Sequence, residues 1–359
     1  MLFSINIDKG KNLESMFKDK FPEGEILSSY NIARNCTQVF VEAVTHDQYE
    51  ELKSKDSFIV SQNDNLIVYK NTEMRLEEND IIFCHSSFIN ELFYLLKRVN
   101  NLRNIKLVTS QSDVSISKKL FFKKPKCISE WYSINVEYKN PHLIPIPLGI
   151  ANNYSPKNLR YHDFENFKAI SVELENKIYC NFNPTTNNNE RLGIFELFKD
   201  DKLFKFEEAT LSIDNYIKKL SEFKFVLAPC GNGFDTHRLW EALYVGAIPI
   251  IRNHETYSYL DKRNVLIIEN YSEITRELLA EFVEKYQPIE KKLLKVNWWI
   301  SLMNKDKINS EETLTIKEKR WITIYRVYEQ LFFFKSESYF KKIKYYVNKI
   351  IQKLTYWLS

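Results

Sequence analysis

Short apolar runs alternate along this chain with stretches of helical periodicity, and that alternation confines it to a parallel-sheet α/β architecture. DIIFCH (residues 80–85) is a buried-strand pattern, followed by the amphipathic INELFYLLKRV (89–99) and a second strand pattern, IKLVTS (105–110). HLIPIPLGI (142–150) is a third apolar run, whose prolines suit a strand end or edge. A polar stretch at 151–167 then reads as a linker. The pattern restarts with KIYCNF (177–182), FKFVLAP (223–229), AIPII (247–251) and NVLIIE (264–269). SEITRELLAEFVEKY (272–286) predicts a helix capped by Ser272, and everything from about residue 294 onward is predicted to be helical. The fold class expected is α/β, two Rossmann-like domains facing a cleft. The predicted divisions are an N-terminal domain at 1–165, a second domain at 166–310 and a helical tail at 311–359.

Composition narrows the function classes. With 359 residues, 44% hydrophobic, there is enough chain for two cores. A net charge of +4 is too small to argue for nucleic acid. Five widely spaced cysteines without a CxxC fit reduced thiols rather than a zinc site or a disulfide framework. The opening MLFSINIDKGKNLESMF lacks a basic region followed by an apolar one, so no signal peptide is expected. No apolar run approaches the roughly 20 residues a membrane span needs. A cytoplasmic location follows from these expectations.

The most informative stretch is APCGNGFDTHRLWEALYVGAIPIIRN (228–253), which holds three of the chain's seven glycines. A strand ends at Pro229, the loop carries Gly231, Asn232 and Gly233, and Asp235 or Thr236 is placed to cap a helix starting near His237. Glycines admit a ligand close to backbone N–H groups, and a helix N-terminus attracts phosphate. Arg238 is placed to grip a diphosphate, and Glu241, three residues on, to accept from ribose hydroxyls. Gly246 ends the helix. The alternative is an ordinary βα turn with a surface Arg–Glu ion pair. Thr236 stands at the third glycine of a dinucleotide fingerprint, and no P-loop pattern occurs, so neither of those readings is supported.

FKFVLAPCGNGFDTHRLWEALYVGAIPII resembles the C-terminal signature of exostosin-like glycosyltransferases of bacterial type. NFNPTTNNNER (181–191) resembles the first strand and loop of that family's donor domain, and SEWYSINVEYKNPHLIPIPLGIAN the end of its acceptor-side domain. The resemblance covers residues 80–270 discontinuously. It implies a glycosyltransferase B fold, a nucleotide-sugar donor and a glycan or lipid-linked acceptor. It also implies inversion at the anomeric carbon and no metal or other cofactor. It places Arg238 on the diphosphate and Glu241 on the ribose, with Arg191 a second phosphate contact. Inversion by direct displacement needs a proton acceptor facing the donor. Asp113, His85 and Glu130 are the candidates, in that order, each with a structural alternative as turn cap, core histidine or surface charge. A nucleotide-diphosphate-binding regulatory or scaffold protein is the runner-up.

The last 29 residues carry six lysines against one glutamate, a net of +5. Phe340, Ile343, Val347, Ile350, Leu354 and Trp357 recur at helical spacing, with lysines opposite. A basic amphipathic helix at 338–359 predicts a peripheral seat at the inner face of the cell membrane, on anionic lipid. Packing against the N-terminal domain and a dimer seam are the alternatives.

Overall fold

The structure, a computed structural model, describes residues 21–167, 175–304, 313–318 and 321–326. The first half forms a seven-stranded sheet and the second a five-stranded one. In the first sheet the strands are β1 (Gln38–Val44), β2 (Ser57–Gln62), β3 (Ile67–Asn71), β5 (Ile81–His85), β6 (Ile105–Ser110), β7 (Ile128–Ser133) and β8 (Leu143–Pro145). Their order is β2-β3-β1-β5-β6-β7-β8. β1 through β8 pair in parallel by way of β5, β6 and β7, whereas β2 and β3 form an antiparallel edge on β1. The second sheet is parallel throughout, in the order β10 (Phe204–Phe206), β9 (Glu175–Cys180), β11 (Phe223–Leu227), β12 (Ile248–Arg252), β13 (Leu266–Ile268).

Strands covered on both faces need near-continuous apolar sequence. That is why β5, β6, β11 and β12 were legible, and why β7 was not. ISEWYS mixes polar and aromatic residues, yet β7 lies inside the sheet between β6 and β8. Its polar groups are satisfied internally: Thr109 Oγ1 donates to Ser133 Oγ at 2.6 Å and accepts from Trp131 Nε1 at 2.8 Å. A buried hydroxyl with two partners costs little, so sequence polarity misleads there.

One buried cluster joins the halves. It contains Phe83, Val108 and Ile146 from the first and Val226, Trp240, Tyr244 and Ile251 from the second. The stretch 151–167 is anchored rather than loose, for it holds the Tyr161–Asn166 helix and buries Leu159 and Phe164. Asn152 Oδ1 also accepts from Tyr30 N at 3.0 Å.

Three local expectations fail. Past residue 294 the described chain is helical over Val296–Met303 and again over 321–326, but not throughout. Thr313–Lys317 is a strand, β14, paired antiparallel with β4 (Glu73–Glu77). Three of its five residues, Thr313, Thr315 and Ile316, are β-branched, and Lys317 reaches Glu73 at 2.6 Å, so cross-strand partners outweigh local helix preference. Beyond it, Glu318 is buried against Lys70, with Arg326 at 2.6 Å and Thr323 Oγ1 donating at 2.6 Å. The Arg276–Lys285 helix is capped by Thr275, which accepts from Leu278 N at 3.2 Å, and Ser272 lies in a separate short turn. Finally, Thr236 occupies the cap position of the His237–Val245 helix without making a side-chain capping bond. The tail at 338–359 lies outside the described residues.

Candidate functional site

β11 ends at Leu227, and the loop 228–236 leads into the His237–Val245 helix, which closes at Gly246 with φ 82°. The two loop glycines answer to close packing by the protein itself. A Cβ at Gly231 would stand 3.1 Å from an Arg191 guanidinium nitrogen, and one at Gly233 would stand 2.7 Å from the Asn135 amide. Both also close the turn, Gly231 N donating to Gly233 O at 3.0 Å.

The start of the helix is docked on the first half. Asn135, itself left-handed at φ 54°, accepts from Asp235 N at 3.0 Å. The Asp235 carboxylate accepts from Leu148 N at 2.8 Å and from Trp240 Nε1 at 3.0 Å. Burial raises its pKa to about 7, against the lowering effect of those donors. His237 Nδ1 lies 2.8 Å from Gly149 O. Gly149 is confined to glycine, since its φ is +73° and a Cβ would fall 2.1 Å from Leu27 O.

Two cavities flank the Gly231–Gly233 loop. The larger, about 530 Å³, is lined by Glu190, Arg252 and Tyr271 among others. Its charges are paired: Glu190 meets Arg252 at 2.7 Å, and also accepts from Tyr271 OH at 2.6 Å and Cys230 N at 3.0 Å. The smaller, about 380 Å³, collects every expected donor-binding residue, Arg191, Gly231, Asn232, Gly233, Thr236, Arg238 and Glu241, together with Asp113. Apart from Asp113, its first-half wall is uncharged and mostly polar, with Gln111, Ser112, Asn135, Asn152 and Tyr154.

The smaller cavity also holds two arginines outside any ion pair among the described residues, although Asp113, Asp235 and Glu241 line it too. Arg191, 6% exposed, donates to two backbone carbonyls, Cys230 O at 2.8 Å and Pro229 O at 3.2 Å. Burial, and then the neighbouring Arg238, lower its pKa to about 10, so it stays charged at neutral pH. Among the described residues neither arginine forms an ion pair, and Arg238 Nε is buried without a partner. Thr236 Oγ1 and Ser112 Oγ, on the same cavity, are likewise buried and unpartnered. The i,i+3 ion pair with Glu241 does not form. Glu241, 2% exposed, instead accepts from Leu159 N at 3.3 Å and Tyr216 OH at 2.7 Å. Two of the roughly four lone-pair sites of a carboxylate are thereby left open.

Of the three candidate bases, Asp113 is exposed at the rim of this cavity. His85 and Glu130 line neither cavity. His85 accepts from Ser87 N at 3.4 Å and packs its ring edge against Phe88, and burial lowers its pKa to about 4. Glu130, on β7, accepts from Tyr132 OH at 2.7 Å. Sequence reasoning missed His237, Asn135, Gly149 and Glu190 as parts of this region. Only the glycine, next to a proline-rich strand end, carried a local signal. Among the described residues no group of three or more His, Cys, Asp or Glu side chains is arranged to hold a metal, and no helix is long and apolar enough to cross a membrane. All five cysteines are free.

No curated protein matches this chain. Among solved structures, the crystal structure of an alpha1,3-fucosyltransferase aligns with it at 12% identity and a TM-score of 0.37. That alignment covers 64% of this chain and 80% of the other, a likeness too slight to assign a fold. Residues 161–328, which include β9 to β13, the glycine loop and both arginines, match the family described as the RXYLT1 C-terminal domain. That match supports a glycosyltransferase, with sugar transfer as the general class of activity.

Proposed function

We propose that this protein moves a sugar from a nucleotide-sugar donor to a surface polysaccharide or glycolipid acceptor, in the manner of exostosin-like enzymes. The observation that carries the reading is the pair of guanidiniums, Arg191 and Arg238, which face one cavity with no carboxylate partner among the described residues. Two cations held together without a counter-ion are costly in the empty protein and complementary to a diphosphate. They sit beside the N-terminus of the His237–Val245 helix, whose free N–H groups add to the same field. In the reaction the anomeric C–O bond to the diphosphate breaks as the acceptor oxygen attacks from the opposite face, inverting the centre. The charge left on the diphosphate falls to Arg191 and Arg238, so the proposed reaction runs without a metal. Asp113, at the rim, takes the acceptor hydroxyl proton. Glu241 binds the ribose through its open lone pairs while Leu159 N and Tyr216 hold it in place.

Two Rossmann-like domains, with the donor on the second and the acceptor on the mostly polar wall of the first, beside Asp113, complete the proposal. The lysine-rich tail extends it to a cytoplasmic enzyme at the inner face of the membrane. The test has two steps. Nucleoside diphosphates should raise the melting temperature, because ligand binding to the folded state stabilises by mass action. The nucleotide sugar of the best binder should then be turned over in the presence of a glycan or glycolipid acceptor. Binding without turnover would favour the regulatory or scaffold reading, and no melting shift with any nucleotide would refute both.

A further inference from the structure

His237 is the first residue of its helix and the immediate neighbour of Arg238, yet its side chain belongs to no part of the diphosphate grip. Its Nδ1 lies 2.8 Å from the carbonyl of Gly149. A carbonyl only accepts, so Nδ1 carries the hydrogen, and in the neutral ring the lone pair is on Nε2. The anchor is rigid, because Gly149 is held at φ +73° against Leu27. The ring lines the smaller cavity, and among the described residues Nε2 has no hydrogen-bond partner.

A lone pair in that position needs a donor opposite it. Ionised phosphate oxygens carry none. In a nucleotide sugar the remaining O–H groups lie on the ribose and on the transferred sugar. The helix orders its cavity-lining residues as His237, Arg238, Glu241, and His237 is separated from Glu241 by about 6 Å of axial rise. A nucleotide sugar is ordered sugar, diphosphate, ribose. If Arg238 holds the diphosphate and Glu241 the ribose, the third group in line, nearest the first half, is the sugar. We infer that His237, locked in one tautomer by Gly149, accepts a hydrogen bond from a hydroxyl of the sugar being transferred and so helps determine which donor is used. This inference rests on the proposed function.

His237→Asn separates the two ends of the imidazole. The Asn amide can still donate to Gly149 O from the Nδ1 position, but nothing reaches the place of Nε2. Calorimetric titration of the full chain would use the nucleoside diphosphate that binds tightest among the uridine, guanosine and cytidine forms, and then its sugar esters. The variant should bind the preferred sugar ester about 10-fold more weakly, the loss of one hydrogen bond, while its affinity for the bare diphosphate stays within about twofold. His237→Gln, whose Oε1 reaches towards the Nε2 position, should recover part of the sugar-ester affinity and covers the case in which the Asn variant fails to fold. Equal weakening of both ligands would place His237 on the nucleotide and overturn the inference. Unchanged binding with a large fall in turnover would make it a proton acceptor instead, and equally overturn it. A wild-type chain that binds no nucleoside diphosphate would refute the proposed function itself, and this inference with it.

Discussion

Arg238→Ala separates a binding residue from a structural one, because the two roles move stability in opposite directions. Arg238 makes no ion pair among the described residues, and its Nε is buried with no acceptor. It also stands close enough to Arg191 to lower that residue's pKa, second only to burial. Truncation therefore removes a like-charge contact and an unsatisfied donor, at the cost of some stem packing against the helix. The unliganded variant should melt no more than about 2 °C below the wild type, or slightly above it. Ligand binding should change far more. Charge-assisted hydrogen bonds are each worth about 1.5–3 kcal/mol, so the dissociation constant of the best nucleoside diphosphate should rise roughly 10- to 150-fold. Arg238→Lys should recover little of it, since a point charge cannot replace the two-pronged guanidinium. Titration calorimetry measures the affinity and differential scanning fluorimetry the melting temperature. An unchanged affinity would refute the diphosphate assignment. A drop of several kcal/mol in the stability of the empty variant would show that Arg238 is a structural residue, and the argument from unpaired charge would fall.

Asp113→Asn should reduce turnover by about 10²-fold or more and leave nucleotide binding unaltered, measured by single-turnover transfer and calorimetry on the same preparation. Gly149→Ala should cost about 3 kcal/mol or more in urea unfolding, since left-handed backbone costs about 1–2 kcal/mol and the new Cβ meets a main-chain oxygen that cannot yield cheaply. A neutral result there would mean the loop, and with it the His237 anchor, is softer than its contacts imply. For Asp235 the folded pKa, about 7, lies above the ordinary 3.8, so the folded chain binds the proton more tightly. Its contribution is then full below about pH 4 and lost as pH rises through 7. Urea midpoints at several pH values should show wild type losing stability relative to Asp235→Asn across that window, and a difference flat with pH would refute it. Transfer activity should survive chelation by EDTA, and rescue by added magnesium after its loss would refute the metal-independent reaction.

By itself the sequence determined the α/β class with its parallel strands and the position of the glycine loop. Parallel strands covered on both faces are near-continuously apolar, so β5, β6, β11 and β12 are written mainly in Ile, Phe, Val and Leu. A glycine loop between such a strand and a helix is equally local, and Gly231, Gly233, Arg238 and Gly246 stood out for that reason. What surrounds the loop was not legible, because it arrives from up to 100 residues away in sequence. Asn135 fills the space at Gly233 and Gly149 fixes the ring of His237; of these distant neighbours only Arg191, which fills the space at Gly231, was expected there, through the resemblance. Of the three candidate bases, ranked with Asp113 first, only Asp113 lines the cavity that the two halves form, while His85 and Glu130 find their partners locally, in Ser87 and Phe88 and in Tyr132. Packing decided Arg238 and Glu241 as well. Their spacing suited an ion pair, and it took Leu159 and Tyr216, brought in by the fold, to occupy the carboxylate and leave the guanidinium free. Local pattern specifies which backbone forms, since it depends on neighbours in the chain; whether a charge ends up paired or poised depends on neighbours in space, and those exist only once the chain has folded.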